Sequence, residues 1–401
     1  MTINKIILSI DGIRKDRIGC YNYKNAELTP NLTNIAKESL VFHDMLSSAT
    51  STVMCFSSIF TGKYSREFKR KDYGDNNNPF NKNLFTDYEN LNYSTYVCLN
   101  ERFKPFYKMI NTFGQSKAIW TGFNTQSNSK DEGSLSPMEQ VDYVVNKFNN
   151  HDKPFLLWLH LWGFAKPKDY FLKKTHFDYD ARVAELDEAI GVLFNHFKSN
   201  SEILILSDHG YSFFENNKWA YGKDGSNITE SVSSVPCIFY NKKIKGDNYN
   251  LVSQTNIKRI LNNPRESLTL SDNIAFCETR YINQFDKSIA IREDKFKFIY
   301  NYDTHRSFLY DLQSDPNENI NLCSNSFYKT RRNSDGSHSQ LKPYVIRNDW
   351  DEIEKKIYVY KNLSKNFYDL SSQNFLFKFK LKLKKINLIL FLYRKLKLFI
   401  K

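Results

Sequence analysis

Apolar residues along this chain fall into short runs that stop at an acid, a histidine or a glycine. Ile6 to Ile10 is apolar apart from Ser9 and ends at Asp11-Gly12. Two later runs behave alike: Pro154-Phe-Leu-Leu-Trp-Leu-His160, and Glu202-Ile-Leu-Ile-Leu206, which ends in Ser207-Asp208-His209-Gly210. Apolar runs of this length, without strict alternation, predict parallel strands covered on both faces. Helical spacing fills the gaps between them. Leu32, Ile35, Ala36 and Leu40 follow Pro30 and lead into a further strand, Leu40 to Phe42. Ser51 to Phe60 predicts a helix capped by Ser or Thr and closed by Gly62, and Tyr179 to Phe197 predicts an amphipathic one.

From about residue 250 the pattern becomes mixed, and Ser288 to Arg292 with Phe296 to Tyr300 predict hairpin strands of a small sheet. The expected fold is therefore α/β: a three-layer sandwich around a mostly parallel central sheet, with a smaller C-terminal α+β subdomain and a basic C-terminal tail. The boundaries expected are an α/β domain over 1–250, a small subdomain over 251–323, a linker or extension over 324–372, and the tail over 373–401. A chain of 401 residues exceeds the usual single core, which agrees with that division.

Composition narrows the classes. A 41% hydrophobic, 25% charged chain lies in the globular range. The net charge of +13 suggests nucleic acid until its distribution is read. Residues 373–401 hold eight Lys and one Arg with no acid, so nine of those charges sit in the tail and the rest of the chain is nearly balanced. No base-stacking module frames the basic run, so no nucleic-acid partner is expected. The uncharged stretch Ile386 to Tyr393 is too short to span a bilayer, and an interfacial basic helix on an anionic membrane surface fits the tail, beside the alternative of a helix docked on the protein body. The six cysteines show neither paired nor zinc-site spacing and read as reduced thiols. The N-terminus lacks the apolar length of an export signal, so a cytoplasmic location, peripheral at the inner membrane face, is the expectation.

Ligands of open α/β sheets gather at the carboxyl ends of the strands. Asp11 at one strand end and Asp208-His209 at another offer hard oxygen and imidazole donors for a cation, and a Thr at a nearby helix start offers a hydroxyl. Taken singly, Asp-Gly and Asp-His-Gly also read as turn signals, and Thr52 as a helix cap.

Ordered blocks carry more. Ser9-Ile-Asp11-Gly-Ile-Arg14-Lys-Asp16-Arg-Ile-Gly19-Cys-Tyr21, Thr29-Pro-Asn-Leu32, Thr61-Gly62-Lys-Tyr64, Ser207 to Gly210, Val235-Pro236, and Leu309-Tyr-Asp-Leu312 with Asp315-Pro-Asn-Glu318 resemble the sulfatase family of the alkaline phosphatase superfamily, in family order across residues 6–322. The resemblance implies one divalent metal ion (Mn, Zn, Ca or Mg) held by Asp11, Asp208, His209 and the oxygen of Thr52. It also implies Thr52 as the nucleophile, nine residues before Thr61. Cys55 lacks the Cys-x-Pro-x-Arg signal of formylglycine sulfatases, since Ser57 and Ile59 stand at the Pro and Arg positions, and it is expected to be a packed thiol.

Lys223, in Trp219-Ala-Tyr-Gly-Lys-Asp, is similar to the family's Gly-Lys segment and would contact a substrate oxygen; a solvated surface lysine is the alternative. His160 reads either as a substrate contact or as a buried strand residue, because the family's further His is missing from His160-Leu-Trp-Gly-Phe-Ala165. Arg14 and Asp16 are expected to form a scaffold ion pair. The function implied is hydrolysis or transfer of a phosphate ester, glycan-linked or lipid-like, through a Thr-bound intermediate. The alternatives are a sulfuric ester hydrolase and an inactive sulfatase-fold protein that binds at a membrane surface.

Overall fold

The structure is a computed structural model and describes residues 3–67, 82–100, 103, 116–121, 135–149, 151, 153–161, 176–213, 221–222, 228–279, 288–302, 304–325, 330–332, 338–340 and 350–368. The basic tail and Lys223 lie outside the described residues. The main sheet is built from β1 (Asn4–Ile10), β2 (Leu40–Leu46), β3 (Ser94–Asn100), β4 (Lys117–Thr121), β5 (Phe155–Leu161), β6 (Ser201–Ser207), β9 (Ser234–Tyr240) and β10 (Gly246–Ser253). Between β6 and β9 in the chain, β7 (Ser212–Phe213) and β8 (Tyr221–Gly222) form a separate short ladder. The order across the sheet is β10-β2-β9-β6-β1-β5-β3-β4. Every neighbouring pair is parallel except the two made by β9.

Alternation along the strands explains the two helical layers. Ile7, Trp158 and Leu204 point into a core with α2 (Thr52–Thr61), α3 (Leu84–Asn90) and α6 (Ile257–Asn262). Ile6, Leu8, Leu157 and Ile205 point the other way, against α1 (Pro30–Lys37), α4 (Pro137–Phe148) and α5 (His176–Phe197). Strands covered on both faces read as unbroken apolar runs, which is why they stand out in the sequence.

β9 is less legible because it contains Pro236, and proline removes a donor from the ladder. The sheet accommodates it with an irregularity. Phe42 pairs with Cys237 and Met45 with Val235, so His43 and Asp44 of β2 together face Pro236. Such a bulge re-aims side chains. Asp44 consequently reaches Arg292 of the second sheet at 2.8 Å.

That second sheet is antiparallel and contains β11 (Ala275–Glu278), β12 (Ser288–Glu293), β13 (Phe296–Asn301) and β14 (Ser307–Asp311). One face packs on the main body through Leu46 and Leu251 against Ala275, Ala290 and Ile299. The other is covered by α7 (Trp350–Tyr368), whose Ile353, Tyr360 and Leu363 join Phe298 and Ile291. Residues 350–368 of the stretch expected as linker or extension form this packed helix. Its sequence is only weakly apolar, and the face that holds it is visible only once the small sheet exists.

Charge as well as apolar area joins the two sheets. Arg292 bridges Asp44 and Glu230 at 2.8 Å each, and the fully buried Lys297 meets Glu230 at 3.0 Å and Glu318 at 2.9 Å. Burial opposes ionisation of Glu230, but Arg292 and Lys297 outweigh it and hold its carboxyl below the usual range. Removing one partner of such a network strands buried charge, at about 3–5 kcal/mol. Lys297→Met is therefore expected to destabilise the chain by that order, and Lys297→Met with Glu318→Gln by less. Denaturant unfolding checks this, and an unchanged midpoint in the single variant would contradict it.

Candidate active site

β1 and β6 are parallel neighbours in register, with Ile10 beside Ser207. The next residue of each, Asp11 and Asp208, therefore emerges at the same edge. Gly12 has φ of +70°, a conformation that suits glycine, and the turn it makes lets its N–H donate to Asp208 Oδ1 at 3.1 Å. The N–H of His209 donates to the same oxygen at 2.8 Å. Gly210 is required by close approach: a Cβ there would lie 2.0 Å from the carbonyl oxygen of Ser231.

The ligand atoms of Asp11, Asp208 and His209 lie within 4.8 Å of one another, and all three residues are buried. His209 Nε2 is 3.4 Å from Asp11 Oδ1 and 3.3 Å from Asp208 Oδ2. Its other nitrogen, Nδ1, faces the carbonyl oxygen of Gly210 at 2.9 Å. A carbonyl only accepts, so Nδ1 carries a hydrogen, and Nε2 is the ring atom turned toward the two acids. Asp208 Oδ2 is buried and receives no hydrogen bond.

Thr52 opens α2 beside this group. Its Oγ1 is 3.4 Å from Asp11 Oδ1 and 3.3 Å from His209 Nε2. Ser51 occupies the N-cap position, yet its hydroxyl does not cap the helix and is buried without a hydrogen-bond partner. The capping role that a Ser-Thr pair suggests is not taken by the Ser51 side chain. The first-turn N–H groups of a helix have no partner within it, and a helix start favours an anion.

Two buried carboxylates, one of them with an oxygen that receives no hydrogen bond, are costly to hold together without positive charge between them. Hard oxygens with one imidazole fit a divalent cation of the Mn, Zn, Ca or Mg type. The four expected residues, Asp11, Thr52, Asp208 and His209, thus meet in one place.

Cys55 lies behind the helix start, fully buried, with Sγ 3.2 Å from the carbonyl oxygen of Ala49. Burial, and secondarily the charge of Asp208, push its thiol well above the ordinary range. Such burial disfavours the thiolate that a nucleophilic cysteine needs.

His160 is placed in the core. Its ring is fully buried, with Nδ1 2.9 Å from Ser9 Oγ, and it meets Phe56 edge-to-face at 4.7 Å. Of its two readings the buried strand residue is the one this geometry describes, because both faces of β5 are covered. Arg14 forms the expected scaffold pair, bonding Asp16 through Nε at 2.8 Å and Nη2 at 2.6 Å. Sequence reasoning missed Tyr179, whose hydroxyl donates to the carbonyl oxygen of Gly12 and accepts from the N–H of Arg14, each at 2.8 Å. Its helical spacing marks it as core, and nothing local announces the polar end.

The chain matches the sulfatase family over residues 3–260. No curated protein sequence matches it significantly. Solved structures share the fold at low identity. The phosphonate monoester hydrolase of Agrobacterium radiobacter has a TM-score of 0.65 and 14% identity, with 92% of this chain and 96% of that one covered. A 2-O GAG sulfatase gives 0.65 and 12%, with 92% and 94% covered. A protein solved with its substrate D-glucosamine-2-N,6-O-disulfate gives 0.63 and 14%, with 93% and 100% covered.

The three candidate ligands follow strand ends rather than lying within the strands of the packed layers. Asp208→Ala and His209→Ala are therefore expected to lose a bound divalent cation and to keep the fold. Elemental analysis with circular dichroism checks both, and full metal content in either variant would overturn the assignment.

Proposed function

Because the chain belongs to the sulfatase family, and so to the ester hydrolases of the alkaline phosphatase superfamily, we propose that it cleaves or transfers a phosphate ester through an ester formed on Thr52. The observation that carries this reading is the placement of Thr52 Oγ1 within 3.4 Å of both Asp11 and His209 while the nearby Cys55 is a buried thiol. A divalent cation held by Asp11, Asp208 and His209 supplies the positive charge that favours a deprotonated hydroxyl and an anionic substrate.

The steps of the chain's own residues follow. Thr52 Oγ1 attacks phosphorus, a new O–P bond forms, and the ester oxygen leaves with its electron pair and takes up a proton. Water or an acceptor alcohol then attacks the same phosphorus, and Thr52 recovers its hydroxyl. Water gives hydrolysis and an alcohol gives transfer, so one site serves both. The first-turn N–H groups of α2 bind the non-bridging oxygens, and Lys223 is assigned to a further one.

A formylglycine sulfatase can expel sulfate by collapse to an aldehyde, whereas an unmodified threonine ester must be displaced at its central atom. Displacement at phosphorus suits that requirement, and it favours a phosphate ester over a sulfate one. Some structural relatives are named for phosphonate and glycosaminoglycan substrates, which supports an anionic, glycan-linked ester and keeps sulfuric ester hydrolysis as the second reading. Convergence of the four residues speaks against an inactive binding protein.

With aryl phosphate, phosphodiester, phosphonate and sulfate esters, each tested with Mn, Zn, Ca and Mg, the phosphate-type esters are expected to turn over fastest. Thr52→Ala is expected to lose several orders of magnitude in kcat, about the loss seen on removing a covalent nucleophile, while Cys55→Ser stays near wild type. A sulfate ester as best substrate would favour the second reading, and a fully active Thr52→Ala would end the first.

The tail is assigned to an anionic membrane surface, where each Lys or Arg adds about 1 kcal/mol. Among the described residues no helix is long and apolar enough to cross a membrane. Deleting residues 373–401 is expected to leave turnover of a soluble ester intact and to weaken sedimentation with phosphatidylserine liposomes, most clearly at low salt. Equal sedimentation of both forms would contradict the assignment.

A further inference from the structure

Gln254 follows directly on β10, far in sequence from the site residues, and is fully buried. Its side-chain amide lies between two segments that carry the site. Nε2 donates to the carbonyl oxygens of Ser207 at 2.8 Å and Asp208 at 2.7 Å. Oε1 accepts from the N–H of Ser48 at 3.1 Å, with Ser48 Oγ at 3.5 Å. Only one orientation works. A flipped amide would set its oxygen against two carbonyl oxygens and its NH2 against an N–H.

The two segments so joined are those that must stay in register for the site to exist. On one side, Asp208 is the acid whose Oδ2 faces His209 Nε2 at 3.3 Å. On the other, Ser48 lies in the lead-in from β2 to α2. The rest of that lead-in is held by main-chain bonds to elements other than β6: Ser47 N–H to the carbonyl oxygen of Ser233, and Thr50 N–H to that of Glu278. Those bonds fix the lead-in against the residue preceding β9 and against β11, whereas the Gln254 amide ties it to the end of β6.

We propose that Gln254 is a positioning residue that sets the separation between Thr52 and the Asp208–His209 pair, so that cation affinity and turnover both depend on it. The inference rests on the cation reading given above. If the glutamine served stability alone, replacing it would lower the melting temperature and leave the site's geometry unchanged. One that sets the spacing must alter the ligand field as well.

Two substitutions separate these roles. Gln254→Met keeps the length and removes every hydrogen bond. Gln254→Glu keeps the acceptor for Ser48 and loses both donors to β6. The probe is Co2+, titrated into the full-length chain and followed by its visible absorption, with kcat and KM for an aryl phosphate measured beside it. In both variants Co2+ is expected to bind about 10–100-fold more weakly, the range typical of residues that orient metal ligands. The absorption band is expected to shift, and kcat to fall with KM little changed.

A wild-type chain that binds no Co2+ would overturn the cation reading and this inference with it. A wild type that binds Co2+, alongside either variant that folds and matches its affinity, band and kcat, would overturn the positioning role alone. Gln254→Glu keeps the test decisive should Gln254→Met fail to fold.

Discussion

Two carboxylates and an imidazole, buried together at the carboxyl edge of a parallel sheet, are the constraint on which the rest of the site depends. Such groups repel one another in a medium of low polarity, and packing alone does not reconcile them. The chain reduces the conflict in part with its own dipoles. The N–H groups of Gly12 and His209 both donate to Asp208 Oδ1, and the carbonyl of Gly210 fixes the hydrogen of His209 on Nδ1. What remains is a set of donor atoms converging on a space suited to positive charge. The hydroxyl of Thr52 stands at its border, at the start of a helix that favours anions.

The architecture around that set keeps its parts in register. Parallel pairing of β1 with β6 brings Asp11 level with Asp208, and the glycines beside them allow turns and approaches that a side chain would block. The second sheet contributes at a distance. Main-chain bonds between Glu278 and both Ser48 and Thr50 brace the segment that leads into α2. The Arg292, Glu230 and Lys297 network binds that sheet to the main body. The small sheet is therefore part of the support of the segment that carries Thr52 rather than an appendage.

The strands ending in Asp11 and Asp208 were legible because their apolar runs are long, unbroken and stop at a titratable residue. The register before Thr61-Gly62 singles out Thr52, which the structure places beside Asp11 and His209, and the poor match around Cys55 implies a packed thiol, in keeping with its burial. Other features left no local trace. Pro236 disguises a strand in the sheet interior, and only the two-residue bulge at His43 and Asp44 shows how it is accommodated. Gln254 and Tyr179 act through single polar atoms at the ends of otherwise ordinary side chains, so no spacing reveals them. His160 could be read either way in sequence, since a strand buried on both faces and one lining a cleft look alike until their neighbours are known.

The central claim is that the hydroxyl of Thr52, and no other group, carries the ester during turnover. Its most direct test is to quench the metal-loaded enzyme during reaction with an aryl phosphate and map the peptides by mass spectrometry. A phosphoryl mass increment is expected on the peptide spanning Thr52 and Cys55, localised by fragmentation to Thr52, with Cys55 present as an unmodified thiol. An increment on another residue, or a formylglycine at Cys55, would contradict it.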